Sequence, residues 1–231
     1  LIIFAIRTYN GLTPGSTLRL LSNDITSILG FLSLFLVMLV GNIGFILLSK
    51  EKSDKELQDA AMYDELTRIL NRRTFLMQAE MAISQCLRKK EPLSFMSMDL
   101  DNFKKINDLY GHHFGDMVLK DFAASIKKQL RDYDLFGRFG GEEFVVLLPG
   151  TNEKEAVDIA EKFRKIIDSN TVFAKEKMRY TVSIGVVSLI PDEKTTLEYL
   201  YKLSDHALYK AKENGKNRVE TAPNFMNGEF E

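Results

Sequence analysis

The run Gly140, Gly141, Glu142, Glu143, Phe144 places two adjacent carboxylates beside two glycines, between short apolar runs at residues 135–139 and 144–148. Those runs read as strands, and the glycine pair can adopt the positive φ angles of a tight hairpin turn. A turn that only reverses the chain gains nothing from paired acids. Glu142 and Glu143 instead suit a cation, or a cation carrying phosphates, held where the missing glycine side chains let a ligand approach the backbone.

A second acidic group lies upstream. Residues 93–98 form an apolar run expected to be a buried strand, and it ends in Asp99, Leu100 and Asp101. Carboxylates at i and i+2 share one face of a strand. In isolation such a pair serves equally well to stop the strand and cap the next helix. The connection that follows, however, crowds Phe103, Lys104, Lys105, Asn107, Asp108, Gly111, His112, Gly115 and Asp116 ahead of an amphipathic helix. The apolar face of that helix is Val118, Leu119, Phe122, Ile126 and Leu130. Polar, basic and glycine positions at this density suit nucleotide binding. Attack of a ribose hydroxyl on an α-phosphate needs metal ions that neutralise phosphate charge and activate the nucleophile, and the acids supply hard oxygen ligands for them.

The stretch from Asp99 to Asp116 and the Gly-Gly-Glu-Glu-Phe turn together resemble the GGDEF family of diguanylate cyclases. The resemblance covers residues 63–220. It includes Asp64, Leu66, Thr67, Asn71 and Arg72 at the start of the domain, and Asp205, Ala207, Leu208, Tyr209, Ala211, Lys212, Gly215, Asn217 and Val219 near its end. It implies an α/β (α+β) fold: a mostly antiparallel central sheet flanked by helices, related to the palm of nucleotidyl cyclases and polymerases. It also implies condensation of two GTP into cyclic di-GMP with release of pyrophosphate, in a symmetric homodimer with one Mg²⁺-GTP on each protomer.

By this resemblance Asp99, Glu142 and the Leu100 carbonyl hold Mg²⁺, with Mn²⁺ as a substitute. Glu143 assists the metals or the attacking hydroxyl. Asp101 either joins the chemistry or holds its loop through hydrogen bonds. Asn107 and Asp116 select guanine, because a carboxylate accepts from N1 and N2 hydrogens that adenine lacks as a pair. Lys104, the backbone at Asn102 and Phe103, Lys212 and Lys216 take the phosphates; as plain helix residues Lys212 and Lys216 would complement the C-terminal end of the last helix. Arg131 and Asp134 match the Arg-x-x-Asp product-inhibition motif and are expected to bind cyclic di-GMP beside the hairpin. Two positions depart from the commonest pattern: Asn102 stands where an aromatic is frequent and Lys216 where arginine is usual. Lysine keeps the charge and loses the bidentate fork. The competing expectation is a catalytically silent cyclic di-GMP receptor, which the intact Asp99, Lys104 and Glu142 disfavour.

Upstream, residues 25–49 carry no charge and exceed the roughly 20 residues a membrane helix needs. Apolar residues run all round rather than along one stripe, which distinguishes this segment from a core helix. Lys50, Lys52 and Lys55 follow it and favour a cytoplasmic C-terminal side. The expected organisation is the end of an earlier membrane helix and an extracytoplasmic loop in residues 1–24, a transmembrane helix at 25–49, a linker helix at 50–62, the GGDEF domain at 63–221 and a loose tail at 222–231. A GTP-consuming domain then lies in the cytoplasm, at the inner membrane of a bacterium. Cys86 is the single cysteine and offers no intramolecular disulfide. A formal net charge of −1 and clusters of mixed sign leave no footprint for nucleic acid. Near the C-terminus, Thr195 and Glu198 are expected to open the last helix as a capping box, and Asn214 with Gly215 to close it.

Overall fold

The computed structural model describes residues 25–169, 172–173 and 177–222; the expected extracytoplasmic stretch 1–24 and the tail beyond Ala222 lie outside them. The chain divides into two compact units, Leu1–Gln58 and Asp59–Glu231.

Helix α1, Ile25–Met62, runs unbroken for 38 residues. The expected linker helix is therefore the last part of a single helix, since neither glycine nor proline interrupts the backbone after Gly44. Within α1 the segment Ile28–Lys52 has a mean hydropathy of 2.5 and is long and apolar enough to cross a membrane. Among the described residues its apolar side chains are largely exposed: Phe35, Val37 and Leu48 are 66%, 68% and 69% exposed. Its polar side chains turn back onto their own helix, Ser33 Oγ donating to the Gly30 carbonyl at 2.9 Å and Asn42 Nδ2 to that of Met38 at 2.9 Å. Such self-satisfaction is what a hydrocarbon surrounding demands of polar groups.

The second unit continues with β1 (Leu70–Asn71), α2 (Arg72–Lys89), β2 (Leu93–Leu100), α3 (Phe103–Tyr110), α4 (His112–Lys127), β3 (Leu135–Gly140) and β4 (Glu143–Pro149). It ends with α5 (Glu153–Ser169), the short pair β5 (Val172–Phe173) and β6 (Lys177–Met178), β7 (Val182–Leu189), α6 (Leu197–Glu213) and β8 (Val219–Thr221). Six strands form one sheet in the order β1-β3-β4-β2-β7-β8. The inner pairs β3/β4, β4/β2 and β2/β7 are antiparallel, and only the outer pairs β1/β3 and β7/β8 are parallel. The mostly antiparallel α/β architecture read from the sequence is the one observed.

Strand β2 is central, and all of its residues are buried. Its period of two divides them between two cores. Met96, Met98 and Leu100 pack in the core that also holds Val118 and Phe122 of α4 and Phe163 of α5. Leu93 and Phe95 pack with Phe75 of α2 and Leu200 and Leu203 of α6. Full burial of Phe75, Phe95, Phe122, Phe144 and Phe163 stabilises the three layers by about 1.5–3 kcal/mol each. Asp99 belongs to the odd-numbered set and so faces α6, while the Leu100 side chain enters the opposite core. Ser97 Oγ and Ser204 Oγ, 2.6 Å apart, hold β2 close to α6 on that same face.

Local signals held with small corrections. The connection after Asp101 contains a helix of its own, α3, pinned by buried Phe103 and Ile106. The cap of α6 is Thr196, which accepts from the Tyr199 amide, rather than Thr195. Asp192 draws Thr195 away: Thr195 Oγ1 donates to Asp192 Oδ1 at 2.7 Å. Helix α6 ends at Glu213, followed by Asn214 and by Gly215 at φ +112°.

Candidate active site

The hairpin between β3 and β4 carries the paired acids at its tip. Of its two glycines only Gly141 has a positive φ, +46°; the pairing register shifts between Arg138 and Gly140 instead, and this bulge makes up the rest of the turn. Arg138 clamps the tip: its Nε and Nη2 donate to the Gly141 carbonyl at 3.0 and 2.8 Å. Glu142 is half-buried in the turn, and Glu143 is exposed as the first residue of β4.

Register then brings the two acidic groups together. Glu143 pairs with Asp99 across β4 and β2, so the two side chains leave the sheet on one face. Asp99 is only 8% exposed. Burial pushes its carboxyl up to about 6; Lys212, with Nζ 3.0 Å from Asp99 Oδ2, opposes this, while the charges of Glu142 and Glu143 add to it. Among the described residues no three acidic, histidine or cysteine side chains form a ready metal cage. The donor set nevertheless fits Mg²⁺, which binds through one or two carboxylates together with water and substrate phosphates. Asp99, Glu142 and the Leu100 carbonyl are the groups that would hold it, and the mutual repulsion of these acids is what a divalent cation relieves.

Asp101 resolves as a strut. Its carboxylate accepts from Thr181 Oγ1 and Ser183 Oγ, both at 2.6 Å, and from the Asn217 amide at 2.9 Å. With those donors in place Asp101 ties β7 and the loop before β8 to the end of β2. Of the two roles its spacing allowed, the structure supports holding the loop.

Asn102 has φ +58° and makes no side-chain cap on α3. Its Oδ1 accepts from Lys216 Nζ at 2.7 Å. Phe103 is buried and Lys104 exposed on the first turn of α3. Asn107 and Asp116 are half-buried on α3 and α4 respectively. Asn107 Oδ1 is buried without a hydrogen-bond partner, and a Cβ at Gly115 would collide with it. Gly115 is therefore the residue that makes room for the Asn107 amide. Its glycine was visible in the sequence, but only the helix pairing reveals its role.

Arg131 and Asp134 sit in the turn between α4 and β3, at the opposite end of β3 from the acidic tip. Six strand residues separate the two places by about 20 Å. They are thus at the base of the hairpin and not beside its tip, because the tip lies where β3 ends. The Arg131 amide donates to Asp134 Oδ2 at 2.8 Å, and Arg131 Nη1 donates to the Tyr133 hydroxyl at 2.9 Å. Asp134 Oδ1 is buried without a partner, and burial raises its carboxyl above the usual range despite Arg131. A cleft alongside is lined by Gln78, Met81 and Gln85 of α2 with Arg131 and Tyr133.

Acids thus stand at the ends of central antiparallel strands, with Lys212 against them and the Asn107 amide packed between α3 and α4. Residues 61–218 match the family described as Diguanylate cyclase, GGDEF domain, and the chain belongs to that family. It is 40% identical over 173 residues to Diguanylate cyclase DgcM of Escherichia coli (strain K12), a match covering 75% of this chain and 41% of that protein. It superposes with a TM-score of 0.62 on the active GGEEF domain of a diguanylate cyclase from Vibrio cholerae, at 37% identity, over 66% of this chain and 96% of that one. The GGDEF domain of DgcB from Caulobacter crescentus in complex with c-di-GMP superposes with a TM-score of 0.67 at 28% identity, over 71% and 94% of the two chains. The chain spans between 24% and 41% of the length of the curated relatives it matches.

Proposed function

We propose that this chain is a membrane-anchored diguanylate cyclase that condenses two GTP into cyclic di-GMP and releases two pyrophosphates. The observation that carries the reading is the meeting of Asp99 with the Glu142–Glu143 turn, against Lys212, in a member of the GGDEF family. In each half-reaction a ribose hydroxyl of one GTP attacks the α-phosphorus of the other. The new phosphodiester bond forms as the α–β anhydride breaks, pyrophosphate leaves, and the hydroxyl proton passes to a base or to water. Mg²⁺ bound there would neutralise phosphate charge and lower the hydroxyl's pKa.

The chain's own residues divide the remaining work. Asp99, Glu142 and the Leu100 carbonyl hold the metal, with Glu143 beside them at the attacking hydroxyl. Asn107 and Asp116 read guanine; the unpartnered Asn107 Oδ1 is a buried acceptor that a guanine N–H would satisfy, and burying it alone is costly. Lys104, the α3 amides at Asn102 and Phe103, Lys212 and Lys216 take the triphosphate. Lys212, now 3.0 Å from Asp99, would be free to turn to phosphate where a cation balances the Asp99 charge in its place. Two protomers with opposed faces supply the two GTP, since one site holds one nucleotide.

Product returns to Arg131 and Asp134. The buried, unpartnered Asp134 Oδ1 suits a guanine donor, and Arg131 can fork onto a phosphate or a guanine edge. Helix α1 spans the inner membrane with the cyclase in the cytoplasm, a placement supported by its uncovered apolar surface and the lysines that follow it. The test is direct: the chain purified in detergent is incubated with GTP and Mg²⁺, and cyclic di-GMP and pyrophosphate are measured. Binding of cyclic di-GMP without synthesis would leave a receptor, and the cyclase reading would fall.

A further inference from the structure

The end of β2 is stitched to the segment after α6 by successive polar contacts. Asp99 meets Lys212, Asp101 accepts from the Asn217 amide, and Asn102 accepts from Lys216. The last of these differs from the others. Asp99 and Asp101 are buried, whereas Asn102 is exposed and its backbone is left-handed. An asparagine at a helix start ordinarily has extended backbone and caps its own helix through its side-chain oxygen. Asn102 makes no such bond, so its amide is free to reach a residue 114 positions away in the chain. Lys216 is itself left-handed, at φ +65°, between Gly215 at +112° and Asn217 at +45°. Arg164 Nη1 anchors this loop through Asn217 Oδ1 at 3.0 Å. The loop is thus fixed at Asn217 and by the Lys216 amide, which donates to the Ala211 carbonyl at 3.0 Å, while the long lysine side chain is guided at its tip by Asn102 alone among the contacts described.

We infer that Asn102 is a positioning residue that holds the Lys216 ammonium at the open first turn of α3, ready for the GTP triphosphate. The inference rests on the reading of Lys216 as a phosphate contact. Physically, a lysine ammonium is a point charge on a flexible stem, and tethering one of its three N–H groups restricts the stem while leaving two for phosphate. An arginine would bring a rigid fork and need no such guide. An exposed neutral–cation hydrogen bond is modest in strength, so the effect is on affinity and not on whether the chemistry occurs.

The experiment is a double-substitution cycle on the whole chain in detergent. Asn102→Gly keeps the left-handed backbone and removes the amide. It is expected to raise KM for GTP by about 3- to 10-fold with kcat within about twofold. Binding of a non-hydrolysable GTP analogue, followed by calorimetry, should weaken by the same factor. In a Lys216→Ala background the same glycine substitution should add less than about twofold, because the group it positioned is gone. Asn102→Asp, also tolerant of the left-handed region, is expected to raise KM because its carboxylate neutralises the ammonium. An unchanged KM in Asn102→Gly, or an equal rise in both backgrounds, overturns the positioning role while leaving Lys216 as a phosphate contact. An unchanged KM in Lys216→Ala alone overturns that underlying reading as well.

Discussion

Arg138 and Asp64 lie 74 positions apart, yet the Arg138 guanidinium is 3.0 Å from Asp64 Oδ1 while its other nitrogens hold the Gly141 carbonyl. Asp64 follows closely on the end of α1 and also accepts from the Thr67 amide and hydroxyl, at 2.8 and 2.6 Å. One guanidinium therefore spans from the start of the domain to the acidic turn. Arg138→Lys cannot bridge both partners, since an ammonium lacks the fork. Turnover should fall by at least about tenfold through misplacement of Glu142, with far-UV circular dichroism unchanged. A variant with full turnover would reduce Arg138 to a surface ornament.

Asp64 also makes stability depend on pH. Burial raises its carboxyl, but the Thr67 donors and Arg138 outweigh burial and leave the net value below the ordinary one. A depressed folded value means the stabilisation is present above the unfolded value of about 4 and is lost as pH falls through the folded one. Asp64→Asn should therefore lower stability by about 1–3 kcal/mol at pH 7. The gap to wild type should narrow as pH falls below the unfolded value of about 4. Urea unfolding at several pH values reads both.

Glu142→Gln and Asp99→Asn each remove a negative oxygen ligand from the proposed metal position. Synthesis should drop by at least about 100-fold in either variant, while the fold persists. Thermal unfolding offers a second readout: Mg²⁺ with a GTP analogue should raise Tm of the wild type and raise it less in the variants. Near-normal turnover in either one would remove these residues from the metal site.

Gly115→Ala probes guanine reading without touching either reader. Alanine favours a helix over glycine by about 1 kcal/mol, which offsets part of the cost of fitting the new Cβ. The added Cβ, however, displaces the Asn107 amide. KM for GTP should rise by about tenfold or more, in line with the loss of one or two base contacts, and preference over ATP should narrow as it does in Asn107→Ala with Asp116→Ala. Competition assays with ATP decide it; an unchanged preference in the double variant would dismiss the base-reading role.

Arg131→Ala should keep its initial rate, since the residue lies at the far end of β3 from the acids. Inhibition by added cyclic di-GMP should weaken by at least about tenfold through loss of charge-assisted contacts. Progress curves at several product concentrations measure this. Inhibition over the same range as wild type would mean that Arg131 serves no feedback here.

Much of this molecule is written locally. The apolar runs at residues 93–98 and 144–148, the acids at the hairpin, the glycine after α6 and the long uncharged helix are patterns of composition and backbone preference, which neighbours in sequence dictate. They were enough to place the family, the sheet and the two acidic groups. What the local patterns left open was decided by partners distant along the chain. Asp99 and Asp101 are indistinguishable as two acids sharing one face, but Asp99 meets Lys212 and the acidic turn, while Thr181, Ser183 and Asn217 saturate Asp101. Gly115 is one glycine among several until Asn107 packs over it, and Asn102 is only a departure from the commoner pattern until Lys216 arrives. Arg131 looks close to the hairpin in sequence, yet an extended strand carries the chain away from it. Sequence spacing reports which residues are available; side-chain roles depend on hydrogen-bond partners that only the packing of β7, α6 and β8 against β2 brings within reach.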